Sequence, residues 1–405
     1  MSTPLSASFP ESFFSDDVHS FFRSPVRDIF RKVDLSAICS FAGGYPSAET
    51  FPVSALESLV STVIRKYGAQ AFQYGATQGV PELRRALARR YGVGADEVQV
   101  TTSSQQGIDV VTRILVNPGD VVITSAPTYL GALQSCASYR ADVVGVTPAS
   151  DGPAPFAVSC GRALESCRAS GRRVKMLYVI PDFQNPSGET LSLAERRALA
   201  DLARRHNILI LEDSPYRELR YEGEPLPTLY SLCPEQVVHL GSFSKIFAPG
   251  FRLGWMMGPA QVLDKVYVCK QSLDLCPPVL DQYVAAEYLS SGALDANLQQ
   301  TIALYRSRRD RFDDLLRRYM PSGVTWAKPQ GGLFLFLTLP PHVDTVGLYD
   351  RALSAGVAYV AGSFFYPGGR TGRNTMRLNY SFIAPDRMEE GVRILADVIR
   401  QAIEE

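Results

Sequence analysis

Val174-Lys-Met-Leu-Tyr-Val-Ile180 and Asn207-Ile-Leu-Ile-Leu-Glu-Asp213 are near-continuous apolar runs, and a helical pattern over 192–206 joins them. Apolar runs of strand length without alternation belong to strands covered on both faces, and a helix between two of them makes a parallel crossover. The same grammar extends outward. Further β-rich runs lie at 98–101, 120–125, 141–146, 236–241 and 252–257, with helical patterns at 105–116, 128–138 and 160–170. These patterns predict an α/β fold built on a mostly parallel central sheet. The interval 207–241 carries several prolines and reads as loop, so the repeat is interrupted there.

The flanks read differently. Residues 1–35 lack periodicity and predict an extended arm with a short helix around Pro25–Lys32, and Phe41-Ala-Gly-Gly-Tyr-Pro46 reads as a tight glycine turn. Helical patterns follow at 52–67 and 81–91, the second opening on Pro81-Glu82, a favourable first turn. Residues 259–319 are helical and end in a long charged helix near 295–319. Beyond about 322, strands at 324–327, 332–338, 357–360 and 375–380 mix with helices at 343–355 and 385–403, as in a small α+β C-terminal domain. The expected division is an N-terminal segment at 1–45 serving the small domain and the site, a large domain at 46–295, and a small domain at 296–405.

The chain has 405 residues, 46% of them hydrophobic, enough to bury a large core. Its 41 basic and 41 acidic residues cancel, which argues against nucleic acid or an anionic membrane as partner. No apolar stretch approaches the ~20 residues of a membrane helix, and no signal peptide is indicated. The seven cysteines include no C-x-x-C, and the pairs Cys160/Cys167 and Cys269/Cys276 read as buried thiols. The four histidines form no metal-ligand cluster. A reducing cytoplasm fits this usage.

Five stretches carry chemistry. Gly241-Ser-Phe-Ser-Lys-Ile-Phe-Ala-Pro-Gly-Phe-Arg-Leu-Gly254 follows a strand. Lys245 there suits a Schiff base with a carbonyl cofactor, and Ser242, Ser244 and Arg252 suit a phosphate; a buried structural lysine is the bland alternative. Asp213 ends an apolar strand where open α/β sheets bind ligands. Facing a pyridine nitrogen it would keep the ring protonated, and Tyr216 would bond the ring's phenolate; taken singly, Glu212-Asp213 reads as a loop cap. In Pro181-Asp-Phe-Gln-Asn-Pro-Ser-Gly188, Asn185 offers an amide to the same oxygen, although Asn-Pro-Ser-Gly is also a plain turn. Thr101-Thr-Ser-Ser-Gln-Gln-Gly107 opens a helix, so Ser104 and Gln105 are candidate phosphate contacts beside an ordinary cap reading. Tyr129, after the next strand, is placed to stack on the ring. Arg377, in Met376-Arg-Leu-Asn-Tyr-Ser381, is an arginine within an apolar strand and needs an anion: a substrate α-carboxylate or a structural ion pair.

In this order and spacing, the motifs resemble the fold-type I pyridoxal 5'-phosphate (PLP)-dependent aminotransferases of class I, especially the 2-aminoadipate and kynurenine subgroup. Ser24-Pro-Val-Arg27, Phe72-Gln-Tyr-Gly75, Gln184-Asn-Pro186 and Gly331-Gly332 join the matches, from about Ser24 to the C-terminus. The resemblance implies exchange of an amino group between an L-α-amino acid and a 2-oxo acid by a ping-pong mechanism. Lys245, Asp213 and Tyr216 would be catalytic, and Asn185 would also border the substrate. It further implies a homodimer in which Tyr74 reaches the neighbour's cofactor phosphate, Arg27 contacts the substrate side chain and Gly44 lies near the bound carboxylate. Two departures stand out: Ser103 replaces a usual glycine of the phosphate turn, and Leu275-Cys-Pro-Pro278 departs from the usual pattern by the substrate pocket.

Rivals exist. The same cofactor motifs serve β-elimination, decarboxylation and biosynthetic cyclisation. Ser242-x-x-Lys245 matches the S-x-x-K of serine acyl transfer, but K-T-G has only the near match Arg370-Thr-Gly372. A regulator's effector domain would need a DNA-binding module, and only about 40 residues precede the matching region.

Overall fold

The computed structural model describes residues 11–22, 38–148 and 154–405. The predicted helix at 25–32 and Arg27 lie outside them. Among the described residues seven strands form the central sheet: β1 (Val98–Thr101), β2 (Val121–Ser125), β3 (Asp142–Val146), β4 (Val174–Val179), β5 (Leu209–Asp213), β6 (Val237–Ser242) and β7 (Gly254–Met257), in the order β1-β7-β6-β5-β4-β2-β3. Neighbours from β6 through β3 are parallel, while β7 runs antiparallel to both β1 and β6. The sheet is therefore mostly parallel, as the patterns predict.

The apolar continuity of the strands has a direct cause. Val121, Ile123, Leu177, Val179, Ile210 and Val237 enter one core, and Val122, Met176, Tyr178, Leu211, Val238 and Leu240 enter the core on the other face. Strand side chains alternate between faces, so both faces must be apolar when helices cover both. The helices Ser103–Leu115 and Leu193–His206 provide such cover.

A four-stranded antiparallel sheet lies C-terminal: β8 (Thr325–Trp326), β9 (Phe334–Thr338), β10 (Val360–Ala361) and β11 (Thr375–Asn379), in the order β10-β11-β9-β8. The helix Ala293–Tyr319 leads into this region and packs against the terminal helix Pro385–Glu404. Cys39–Ser40 pairs in parallel with Val357–Ala358. Phe41 continues the stitch, donating its N–H to Ala358 and accepting from the Asn379 N–H at 2.8 Å each.

This stitch corrects the predicted glycine turn at 41–46: the segment is laid extended along the small sheet, and neither Gly43 nor Gly44 has a positive φ. Gly44 serves instead for close approach, since a Cβ there would meet the Phe334 ring at 3.3 Å. Other corrections are local. The loop at 207–241 contains a one-turn helix, Leu229–Leu232, capped by the Thr228 hydroxyl. The helix expected at 343–355 is confined to Tyr349–Ser354. Cys269 and Cys276 are half-buried rather than buried.

Candidate active site

The site assembles at the C-terminal edge of the parallel strands, the usual ligand edge of such sheets. At the end of β5, strand alternation sends consecutive carboxylates to opposite faces. Glu212 accepts the backbone N–H of Leu229 at 2.9 Å and of Tyr230 at 3.0 Å, and pairs with His239 Nδ1 at 3.0 Å. Asp213 faces the other side. Its Oδ2 accepts the Tyr178 hydroxyl at 2.7 Å, while Oδ1 is buried with no partner among the described residues. Burial pushes the Asp213 carboxyl up to about 6, against the Tyr178 hydrogen bond and His239. A buried, half-satisfied carboxylate is costly unless a cation or an N–H joins it. A protonated ring nitrogen fits that requirement.

Arg377 on β11 is the complementary case. It is buried, donates Nη1 to Asn185 Oδ1 at 2.9 Å and Nη2 to the Ala42 carbonyl at 2.7 Å, and its Nε has no partner among the described residues. Its guanidinium stacks 4.3 Å from the Phe334 ring centroid and 5.0 Å from that of Phe365. No carboxylate among the described residues pairs with it, and burial lowers its pKa to about 10 against the influence of Tyr216 and Tyr129. Such a cation awaits an anionic ligand.

Lys245 lies in the turn after β6, and its Nζ donates to the Gly44 carbonyl at 2.7 Å. Burial first, then the positive charges of Arg377 and Arg252, push its pKa down to about 8. Asn185 is also hydrogen-bonded to Tyr216, whose phenol is raised by burial and then by Tyr129. Lys245, Arg377, Asn185, Tyr216, Tyr129 and Asp213 therefore form one connected cluster, with Gly44 in its wall.

The phosphate-type elements meet nearby. Arg252 donates Nη2 to Ser103 Oγ at 2.8 Å at the start of the helix Ser103–Leu115, whose first N–H groups have no intrahelical partner. Ser103 has φ +63, the left-handed region that glycine favours, which accounts for the glycine usual at this place. Gly254 lets β7 touch this turn: a Cβ there would stand 2.8 Å from Ser104 N. Ser242 Oγ accepts from Ser244 N at 3.2 Å. The Gln105 amide is engaged with the Gly131 carbonyl and Ser135 Oγ, both at 3.1 Å, leaving its backbone N–H as the available contact. The donor set thus suits a dianion beside an amine and a carboxylate, as PLP requires.

Tyr74 stands apart from this cluster in its own chain, 79% exposed. Sequence reasoning passed over Tyr178 and Phe334, because an aromatic residue in an apolar strand reads as core. It also passed over Lys270, whose Nζ bonds Gln106 Oε1 at 2.9 Å and both carboxylate oxygens of Asp274 at 3.0 Å. Gln106 in turn accepts the Thr102 N–H at 2.8 Å, so this half-buried network fixes the start of the helix Ser103–Leu115.

The comparisons agree with the geometry. A family model described as aminotransferase class I and II matches residues 43–395. An aromatic-amino-acid aminotransferase of Thermococcus litoralis is 39% identical, over 96% of this chain and 95% of that protein. The crystal structure of a kynurenine aminotransferase from Pyrococcus horikoshii, in complex with PMP, superposes with a TM-score of 0.92 at 38% identity, over 96% of this chain and 98% of that one. An alpha-aminoadipate aminotransferase from Thermus thermophilus, complexed with N-(5'-phosphopyridoxyl)-L-leucine, gives 0.88 at 33% identity, over 97% and 98%. Nothing in these findings favours elimination, decarboxylation or cyclisation. With the fold, the family match and the phosphopyridoxyl ligands of its relatives in agreement, the chain belongs to the class I PLP-dependent aminotransferases, in the aromatic, 2-aminoadipate and kynurenine subgroup, and exchanges amino groups between amino acids and 2-oxo acids.

Proposed function

We propose a division of labour among the residues of this chain. Lys245 carries the cofactor and shuttles the substrate's Cα proton. Asp213 faces the ring nitrogen, and Asn185 and Tyr216 hold the ring oxygen. Tyr129 lies against the ring, while Ser104, the Gln105 N–H, Ser242, Ser244 and Arg252 hold the phosphate. Arg377 and the Gly44 segment receive the substrate carboxylate, and Asn185 borders it.

Bound PLP supplies an aldehyde and an electron-accepting ring. The chain's part is charge placement. Arg377 offers a bidentate fork to a carboxylate, which fixes which Cα bond stands near Lys245. An amine with a pKa near 8 exchanges protons close to neutral pH, where a general acid/base is most effective. The single observation that carries the reading is the pairing of opposite deficits among the described residues: a buried Asp213 oxygen without a donor and a buried Arg377 without a carboxylate, in one connected cluster with Lys245.

Aromatic amino acids are the proposed donors, on the likeness to the 39% identical relative; Arg27 belongs to the substrate proposal but lies outside the described residues. A homodimer with Tyr74 at the neighbour's phosphate is also proposed, supported by the exposed apolar side chains Val53, Ile64, Phe72 and Tyr74. The division at about 45 and 295 and a cytoplasmic location belong to the same reading. Among the described residues no helix is long and apolar enough to cross a membrane.

Lys245→Ala tests the core of the assignment. Turnover with an amino donor and a 2-oxo acid should fall to background, together with the borohydride-reducible chromophore. Retained turnover would sink it. A panel of donors, read as loss of the cofactor's visible band, tests the aromatic preference.

A further inference from the structure

A second cavity, of about 660 Å³, opens between the loop after β5 and the helices Pro81–Tyr91 and Ala293–Tyr319. Arg90, Arg217, Arg220 and Arg306 line it, and Glu218 is its one acidic lining residue among the described residues. Glu218 is already held in a two-point pair by Arg90, at 3.0 and 2.8 Å. Among the described residues, the remaining arginines are short of counter-charge. Arg220 and Arg217 both aim at Asp182, at 3.0 and 3.5 Å, but Asp182 is fully buried and already gripped by both Nη atoms of Arg196, at 2.7 and 3.2 Å. Arg306 donates to the Tyr221 backbone carbonyl. Three guanidiniums therefore share the Asp182 carboxylate, and Arg306 is paired with none among the described residues. Burial, with Arg196 and Arg217 close by, lowers the pKa of Arg220 despite Asp182.

An excess of partly desolvated positive charge is costly unless an anion completes it. Guanidinium forks around one space suit an oxyanion with several acceptor oxygens. A monocarboxylate would leave most of the excess in place; a phosphoryl dianion brings twice the charge and three oxygens. We propose that this cavity is a binding site for a phosphoryl dianion, free or carried on a small metabolite, held by Arg217, Arg220 and Arg306. It shares no side chain with the cluster around Lys245. It is nonetheless joined to it through the chain, since Arg217 follows Tyr216 and Asp182 lies three residues before Asn185.

The test uses PLP-loaded enzyme, so that the cofactor's own phosphate position is filled. Inorganic phosphate and glycerol 3-phosphate are titrated calorimetrically against chloride buffer of equal ionic strength, with succinate as a carboxylate control. One saturable site per chain is expected, and the tighter of the two phosphoryl probes identifies the source. Arg306→Gln should weaken binding roughly tenfold or more, the contribution of one charge-assisted contact, with the cofactor's absorbance and kcat unchanged. Arg217→Gln serves as the second variant should Arg306→Gln fold poorly. Absence of saturable binding, succinate binding as tight as phosphate, or undiminished affinity in a folded variant would overturn the proposal.

Discussion

Glu212 and Asp213 are adjacent in β5, yet the fold drives their carboxyls in opposite directions. Burial opposes ionisation of both. At Glu212 the imidazole of His239 and two backbone N–H groups outweigh it and hold the pKa below the ordinary value. Asp213 has one phenol and an empty oxygen, so burial wins and its pKa rises from 3.8 to about 6. The sign follows. Between those pH values the folded apoprotein keeps a proton that the unfolded chain has lost, so apoprotein stability falls as pH rises through that window. The shift is worth up to about 3 kcal/mol. Asp213→Asn removes a charge that the apoprotein supports poorly. Its apoprotein should therefore unfold at a higher temperature than wild type at pH 8, with the gain disappearing below about pH 4. The loaded variant should lose about 10²–10³-fold in kcat. A less stable apoprotein at pH 8 would contradict this account of Asp213. Arg377→Lys keeps the charge but loses the fork, and should raise the donor's KM about tenfold or more, measured under steady state. At this scale the charged residues were legible because a charge inside an apolar run demands a partner. Tyr178, Phe334 and the carbonyls of Ala42 and Gly44 were not, since an apolar run does not reveal which core atom touches Asp213, Arg377 or Lys245.

The elements were legible where their burial was periodic. The central strands came within two residues of their observed ends, because most of them are covered by apolar core on both faces; the run at 357–360 divides instead into Val357–Ala358 and Val360–Ala361, in separate sheets. The antiparallel direction of β7 was hidden: an apolar run has the same composition in either direction, and the short link from β6 holds the lysine turn rather than a helix. The glycines at 43 and 44 misled for a related reason, since glycine marks close approach as readily as a turn. Ser103 shows the opposite case, where a departure noted in the sequence proves to be a conformational fact. At φ +63 it retains an unfavourable backbone and gains a bond to Arg252. Two substitutions separate these effects. Ser103→Ala and Ser103→Gly both delete the hydroxyl and should weaken cofactor affinity alike, by several-fold, in spectrophotometric titrations. Only the glycine relieves the left-handed strain, so its apoprotein should be more stable than the alanine variant by about 0.5–1 kcal/mol in thermal unfolding. Equal stabilities would show that the turn carries no strain.

At the scale of the whole molecule, the helix Val53–Tyr67 is packed on one side only by the described residues. Val53 and Ile64 are exposed on it, Phe72 and Tyr74 follow just beyond, and an apolar groove of about 600 Å³ runs along Val53, Leu56, Val60, Ile64 and Phe251. An apolar strip of this kind is the sort of surface that a second subunit covers. Phe251 adjoins Arg252, so whatever covers the groove stands beside the phosphate elements. Assembly and cofactor retention are therefore expected to be coupled. Ile64→Asp combined with Phe72→Asp should sediment at the mass of one chain where wild type sediments at twice that mass, and should bind PLP at least about tenfold more weakly. Tyr74→Phe should leave the sedimentation unchanged while weakening PLP about tenfold, the loss expected for one hydrogen bond to a phosphate. The pair of variants separates loss of the interface from loss of the hydroxyl. Wild-type enzyme that sediments as a single chain with full activity would remove both the proposed homodimer and the role given to Tyr74.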